Sequence, residues 1–310
     1  MFRFILPDPH CMTDSAQPAA RARLAPAGLI CLAITSVGWG LNWPVMKYLL
    51  TEWPPMSARG LTGVVGGLLL AALALARGQS LRVPRDQWPR LLLLSFLNVT
   101  LWMTLMGLAL LWLPASEAAV IAYTMPVWAS VLAWLVLGER MTWLRIAAML
   151  MAFAGIAALL GGNGISASRD KLPGIIMVLI GAFAFALGTV AAKRLPLNLP
   201  LIASSALQIG LGCVPVAIAG LLIERPQIAA LSSVGWSLMA YMTFVQFCIA
   251  YVCWFAALAR LPASVAAIGT LAVPVIGVIA SAIALGEPLG PGQIAALLFT
   301  LAGVVLATRS

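Results

Sequence analysis

The stretch LPASEAAVIAYTMPVWASVLAWLVLGERMTWLRIAAMLMAFAG, residues 113–155, returns at 261–303 as LPASVAAIGTLAVPVIGVIASAIALGEPLGPGQIAALLFTLAG. Set together without a gap, 17 of the 43 positions are identical. The shared residues include Leu-Pro-Ala-Ser from Leu113 and Leu261, the prolines Pro126 and Pro274, Leu-Gly-Glu from Leu137 and Leu285, Ile-Ala-Ala from Ile146 and Ile294, and Ala-Gly at Ala154 and Ala302. The chain is an internal duplication. The offset of 148 residues continues upstream, where Trp88 falls on Trp236, Phe96 on Phe244 and the carboxamide Asn98 on the carboxamide Gln246. An offset of 146 sets Gly28 on Gly174 and Lys47 on Lys193.

Hydrophobic residues make up 63% of the chain and charged residues 9%, with a mean hydropathy of +1.04. A soluble domain carries about a quarter charged residues, so the chain reads as an integral membrane protein. The formal charge of +9 does not point to nucleic acid, because Lys and Arg fall in short loops between apolar runs, where they set topology. Five cysteines are an odd number, four of them inside apolar runs, and no disulfide framework is indicated.

Residues 1–25 lack a signal-peptide core and read as a disordered cytosolic tail. Ten apolar runs follow, near 26–50, 57–76, 89–112, 115–137, 141–162, 173–194, 198–222, 234–258, 263–285 and 290–308. Each is long enough to cross a hydrocarbon core of about 30 Å as a helix. The expected fold is an all-α integral membrane protein of ten transmembrane helices. With the amino terminus inside, 13 of the 18 Lys and Arg lie on the inner side, and Lys47, Arg59, Arg169, Lys171 and Arg225 on the outer. Both termini are then cytoplasmic. Five spans per half is an odd number, so the second half enters the membrane inverted. The expected division is a first five-helix repeat at 26–162, a periplasmic linker at 163–172 and an inverted repeat at 173–308. The duplicated motif agrees: Glu139 is followed by Arg140 and Arg145, whereas Glu287 is followed by Pro288 and Gln293, as an outward-facing copy requires.

With Trp39-Gly40 and Lys47 late in the first span, the paired Pro-Ala-Ser and Gly-Glu motifs, Pro126 and Pro274, and the two Ala-Gly pairs, the chain resembles the drug/metabolite transporter superfamily. The likeness is to its ten-helix EamA branch, covers residues 26–308, and is closest to the aromatic amino-acid exporters of the YddG type. It implies a helical bundle around a central cavity that opens alternately to cytoplasm and periplasm in a bacterial inner membrane, each half rocking against the other.

A site is to be sought at mid-membrane on helices of both halves, where polar groups need partners or water. Trp39, Asn42 and Trp43 share one face of the first span, and Asn98 and Trp102, four apart, share a face of the third. Tyr123 and Thr124 precede Pro126, and Gln246 is central in the eighth. Together these residues are the candidate substrate cavity: flat apolar rings for stacking and carboxamides for a polar head group. Interhelical packing is the competing role for each. Pro126 and Pro274 each remove a helix hydrogen bond and are candidate hinges. Trp53, Trp88, Trp112, Trp143 and Trp236, at span ends, read as interfacial anchors. Gly60, Gly63 and Gly67 form a small-residue face for close helix packing.

The acids all fall in the tail, loops or span ends, which leaves Glu117 as the nearest approach to a membrane proton site, with Glu139 and Glu287 as loop caps and Lys47 free to snorkel. No metal-ligand set, cofactor motif, nucleophile with its base, or paired acids appears within a span, so no enzyme is indicated. The expected function is export of small neutral metabolites, foremost aromatic and other large neutral amino acids, by a uniporter that needs neither a cofactor nor an oligomer. The alternative on the same fold is a multidrug or other neutral-metabolite exporter, with or without proton coupling.

Overall fold

The computed structural model describes residues 26–138, 142–161, 169–258, 260–261 and 270–308. The tail 1–25, most of the 163–172 linker, Glu139 and the Pro-Ala-Ser motif at 262–264 lie outside them. Among the described residues the regular structure is helical. We label α1 Pro26–Leu49, α2 Pro55–Ala76, α3 Arg85–Ala109, α4 Ala115–Leu137, α5 Trp143–Gly161, α6 Leu172–Arg194, α7 Leu201–Glu224, α8 Ser233–Trp254, α9 Ala272–Leu285 and α10 Pro291–Thr308. Seven of them, α1 to α4 and α6 to α8, are long and apolar enough to cross a membrane. α5, α9 and α10 contribute shorter apolar stretches. The surface is studded with large apolar side chains, Leu68, Leu135, Ile223 and Ile283 among them. Water would not tolerate such a surface and lipid favours it. This is a multi-pass membrane protein.

Local chemistry explains the repeated motifs. Leu-Gly-Glu ends α4 and α9: Gly138 and Gly286 adopt φ of 69° and 67°, the left-handed position that closes a helix and that a side chain would strain. Glu287 then reaches across to α4, where its carboxylate accepts the backbone N–H of Ala115 at 2.6 Å and of Ser116 at 2.9 Å, along with the Ser116 hydroxyl. The Pro-Ala-Ser motif is thus the receiver of the Gly-Glu motif, a carboxylate set on the orphan N–H groups of a helix start.

Several spans are not continuous α-helices. α4 breaks at Tyr123 and Thr124, one turn before Pro126 can act as a mid-helix obstacle, and the proline instead occupies the first turn of the second segment. Pro274 likewise lies in the first turn of α9. The kink expected at Pro126 is therefore a helix restart, where a missing N–H costs nothing; the residues before α9 that would show the same for Pro274 lie outside the described ones. α3 and α8 carry π-helical turns at Phe96–Thr100 and Met242–Ile249, which overlap when the repeats are superposed and hold Asn98 and Gln246.

The halves interleave. α1 packs on α8 and α9, while its repeat mate α6 packs on α3 and α4. α2 and α7 pair with each other, as do α5 and α10. In the α2–α7 seam the glycine face does the work: a Cβ at Gly60 would collide with the backbone of Ala217, and one at Gly67 would lie 2.8 Å from the Cα of Gly210. Each sequence half thus lends its first helix to the other: α1 groups with α8 and α9, and α6 with α3 and α4.

Candidate functional site

A cavity of about 100 Å³ opens inside the bundle, bounded by α1, α2, α3, α4, α6, α8 and α9. Of the eight residues expected to form it, Trp39, Asn42, Trp43, Trp102, Tyr123 and Gln246 line its wall. Their rings come from both sides: Trp39 sits against Tyr251 and Trp254, with centroids at 5.3 and 5.8 Å, and Trp102 against Phe185 at 4.9 Å. The Trp39 indole N–H donates to the Gln246 carbonyl at 3.4 Å, a carbonyl in the π-helical turn. Asn42 and Gln246, 7% and 6% exposed, each present a side-chain oxygen without a hydrogen-bond partner. Buried polar atoms left so are disfavoured unless something completes them.

Two of the eight are elsewhere. Thr124 is buried and donates its hydroxyl to the Ile121 carbonyl at 2.7 Å, sealing the break in α4. Asn98 presses its amide against Gly188 of α6, where a Cβ would find no room. It serves the α3–α6 contact, as Trp102 does through Phe185, and its side-chain oxygen has no hydrogen-bond partner.

Arg59 is the residue that the sequence misplaced. Expected among the outer loop charges, it is 2% exposed, in the first turns of α2, and it lines the cavity. Its stem passes Gly107 of α3, where a Cβ would come within 3.1 Å of the Arg59 Cδ. Its one hydrogen bond among the described residues runs from Nη1 to the Met103 thioether at 3.1 Å, and its Nε has no partner. The available signal was that Arg59 is the only charge between residues 55 and 76; its closeness to the span start masked it. Met125, Phe185, Tyr251 and Val273 complete the wall, and nothing in their spacing announced them.

Further charges gather at the end of the bundle where α1 finishes. Lys47 does not snorkel: its ammonium donates to the carbonyls of Leu110 and, at 2.9 Å, Leu113. Glu117 is buried and paired with Lys171 at 3.0 Å, so it is not a lone membrane acid. Lys47, Lys171 and Glu287 border a groove of about 490 Å³. Trp53, expected as an anchor, is core: its indole N–H donates to the Gln227 carbonyl at 2.8 Å. Trp88, Trp112, Trp143 and Trp236 remain exposed.

Membrane-crossing helices closed around an internal cavity of rings and unpartnered polar atoms define a membrane transporter. The model of the EamA-like transporter family matches the chain twice, over residues 26–161 and 172–309, and the chain belongs to that family. It is 32% identical to the uncharacterized transporter YvbV of Bacillus subtilis over 284 residues, covering 89% of this chain and 90% of that protein. It is 26% identical to a probable amino-acid metabolite efflux pump of Salmonella typhimurium, with 90% and 93% covered. It is 27% identical to a probable terminal-alkyne amino-acid exporter of Streptantibioticus cattleyicolor, with 90% and 92% covered. A solved crystal structure superposes with a TM-score of 0.65 at 23% identity, covering 90% of this chain and 96% of that one, which shows the fold.

Proposed function

We propose that the protein exports small neutral metabolites, foremost aromatic and other large neutral amino acids, by alternating access of the central cavity. The observation that carries this reading is the wall itself. Indoles on α1 and α3 face unpartnered carboxamide oxygens on α1 and α8, a combination suited to a cargo with a flat apolar part and a hydrogen-bonding head. The names of the Salmonella and Streptantibioticus relatives support amino-acid cargo. At about 100 Å³ the cavity holds about three waters' share of liquid volume. That is space for a head group, while Trp102 and Phe185 fill the room a cargo ring would take. The state described is contracted, and loading an aromatic cargo parts the α3–α6 stack.

The same reading takes the chain as ten spans in two inverted repeats, 26–162 and 173–308, with both termini cytoplasmic in a bacterial plasma membrane. Transport runs as uniport down the cargo gradient, since Glu117 is occupied by Lys171. Pro126 and Pro274, each in the first turn of a helical segment, serve as hinges. The test is counterflow in proteoliposomes loaded with unlabelled phenylalanine, with labelled tryptophan outside and no ion gradient. Accumulation with phenylalanine but not with a sugar inside is the expected result. Accumulation only under an imposed proton gradient would replace uniport by proton coupling, and none under either condition would remove amino acids as cargo.

A further inference from the structure

We infer that Arg59 is the carboxylate receptor of the cavity, and that the cargo is recognised as a zwitterion held between Arg59 and the carboxamide oxygens of Asn42 and Gln246. The inference rests on the reading of this cavity as the cargo site, and names the chemistry by which it selects.

A guanidinium carries five N–H donors in a planar fork and keeps its charge. In a membrane bundle such a group is normally answered by an acid or by backbone carbonyls. Arg59 is answered by neither: among the described residues no carboxylate lies within 4 Å of it, its Nη1 rests on a thioether, and its Nε is unpartnered. A thioether is a weak acceptor. Tyr251 and Cys213, the titratable groups beside it, bring no negative charge at neutral pH. The position is nonetheless built: Gly107 makes way for the stem, and Met103, the next cavity residue on α3, seats the head. A buried cation with unspent donors and a cavity in front of it lacks an anion, and a carboxylate matches the fork in two parallel hydrogen bonds. The second segment of α4 starts at Met125 on the same wall, and a helix start adds positive potential.

The complementary group is specified by what Asn42 and Gln246 leave open. Each offers an unpartnered oxygen, an acceptor that suits an ammonium. One anion site and two neutral acceptors around a cavity of head-group size are the pattern of an α-amino acid's charged end, with the rings left to receive the side chain. Amines without an acid are rejected by Arg59.

The test uses the purified full chain and three probes that share one ring: phenylalanine, 3-phenylpropionate, which lacks the ammonium, and phenethylamine, which lacks the carboxylate. Binding is read by quenching of intrinsic tryptophan fluorescence and by thermal stabilisation, on the wild type, Arg59→Gln and Arg59→Lys. The expected result is that both carboxylates bind the wild type and phenethylamine does not. Arg59→Gln should weaken the carboxylates roughly 10- to 100-fold, the range of a lost charged hydrogen-bonded pair, with Arg59→Lys between. Should Arg59→Gln fail to fold, Arg59→Lys and the wild-type probe order carry the test. Equal binding of phenethylamine and phenylalanine by the wild type, or unchanged carboxylate affinity in a folded Arg59→Gln, overturns the inference. Arg59-dependent binding of 3-phenylpropionate without phenylalanine binding or counterflow would keep the carboxylate receptor and discard the amino-acid cargo. Phenylalanine counterflow with undiminished affinity in Arg59→Gln would do the reverse, and no carboxylate binding at all would overturn both.

Discussion

The two ends of the bundle are built by the same repeat and fastened by different chemistry. At the end where α1 finishes, Glu224 accepts the backbone N–H groups of Met56 at 3.0 Å and Ser57 at 2.7 Å, and Glu52 accepts the N–H of Ser232 at 2.9 Å and its hydroxyl at 2.7 Å. At the opposite end the corresponding clasps among the described residues are carboxamides: Gln79 accepts the N–H of Ala203 at 3.3 Å, and Gln87 that of Asn198 at 2.9 Å. The register is the repeat's own, since Ser57 and Ala203, like Glu52 and Asn198, stand 146 residues apart. The lysines part in the same way: Lys47 is bound to two carbonyls, whereas Lys193 is exposed. A carboxylate on a helix start gains both a charge-assisted hydrogen bond and the helix dipole, which a neutral amide lacks. Among the described residues, identical topology therefore carries charged clasps at one end and neutral ones at the other.

That contrast can be broken. The largest expected effect is at the lysines, because removing Lys47 takes two charged hydrogen bonds from the α3–α4 loop. Lys47→Met should destabilise the fold by about 3 kcal/mol, and Lys193→Met by no more than about 0.5 kcal/mol, measured by reversible unfolding in mixed micelles; equal losses would erase the distinction between the ends. Next come the clasps. Glu224→Ala should lose about 2 kcal/mol and Gln79→Ala about 1 kcal/mol in the same assay, and a reversed order would show that charge is not what separates them. The smallest effect sharpens the comparison: Gln79→Glu gives the weaker end a carboxylate and should add about 0.5 kcal/mol. Spin-label distances across that end should shorten in this variant, and unchanged distances would mean that the clasps fasten loops without setting the resting state.

The helices and their pairing into repeats were legible because a bilayer imposes length and apolarity on every span, and duplication left the motifs in register. Gly138 and Gly286 could be read as helix ends and find a left-handed φ. Trp39, Asn42 and Trp43 lie on a regular α-helix, so three- and four-residue spacing carried them to one wall. The same arithmetic brought Asn98 and Trp102 to one neighbour, α6, at Gly188 and Phe185, but the close approach at Gly188 keeps the Asn98 amide in that contact and out of the cavity wall. Arg59 was lost for another reason. Near a span's start, hydropathy cannot tell a charge at the surface from one turned inward, and only the packing of α2 against α3 and α7 decides. The break in α4 before Pro126 was similarly set by the helix restart rather than by the proline in isolation.

The glycine seam between α2 and α7 has a mechanical meaning. Two backbones that touch without intervening side chains have no rotamers to absorb a slide, so a shift along the seam would drive Gly60 or Gly67 into the opposite chain, whereas a turn about it keeps the contact. In the alternating access proposed above, α2 and α7 would then act as an axle, and the helices to swing would be those packed outside it. Arg59 stands one residue from Gly60. If Arg59 receives the cargo as proposed, the positive charge is mounted on the part that would not travel, and a cargo held there would meet the same post whichever side is open.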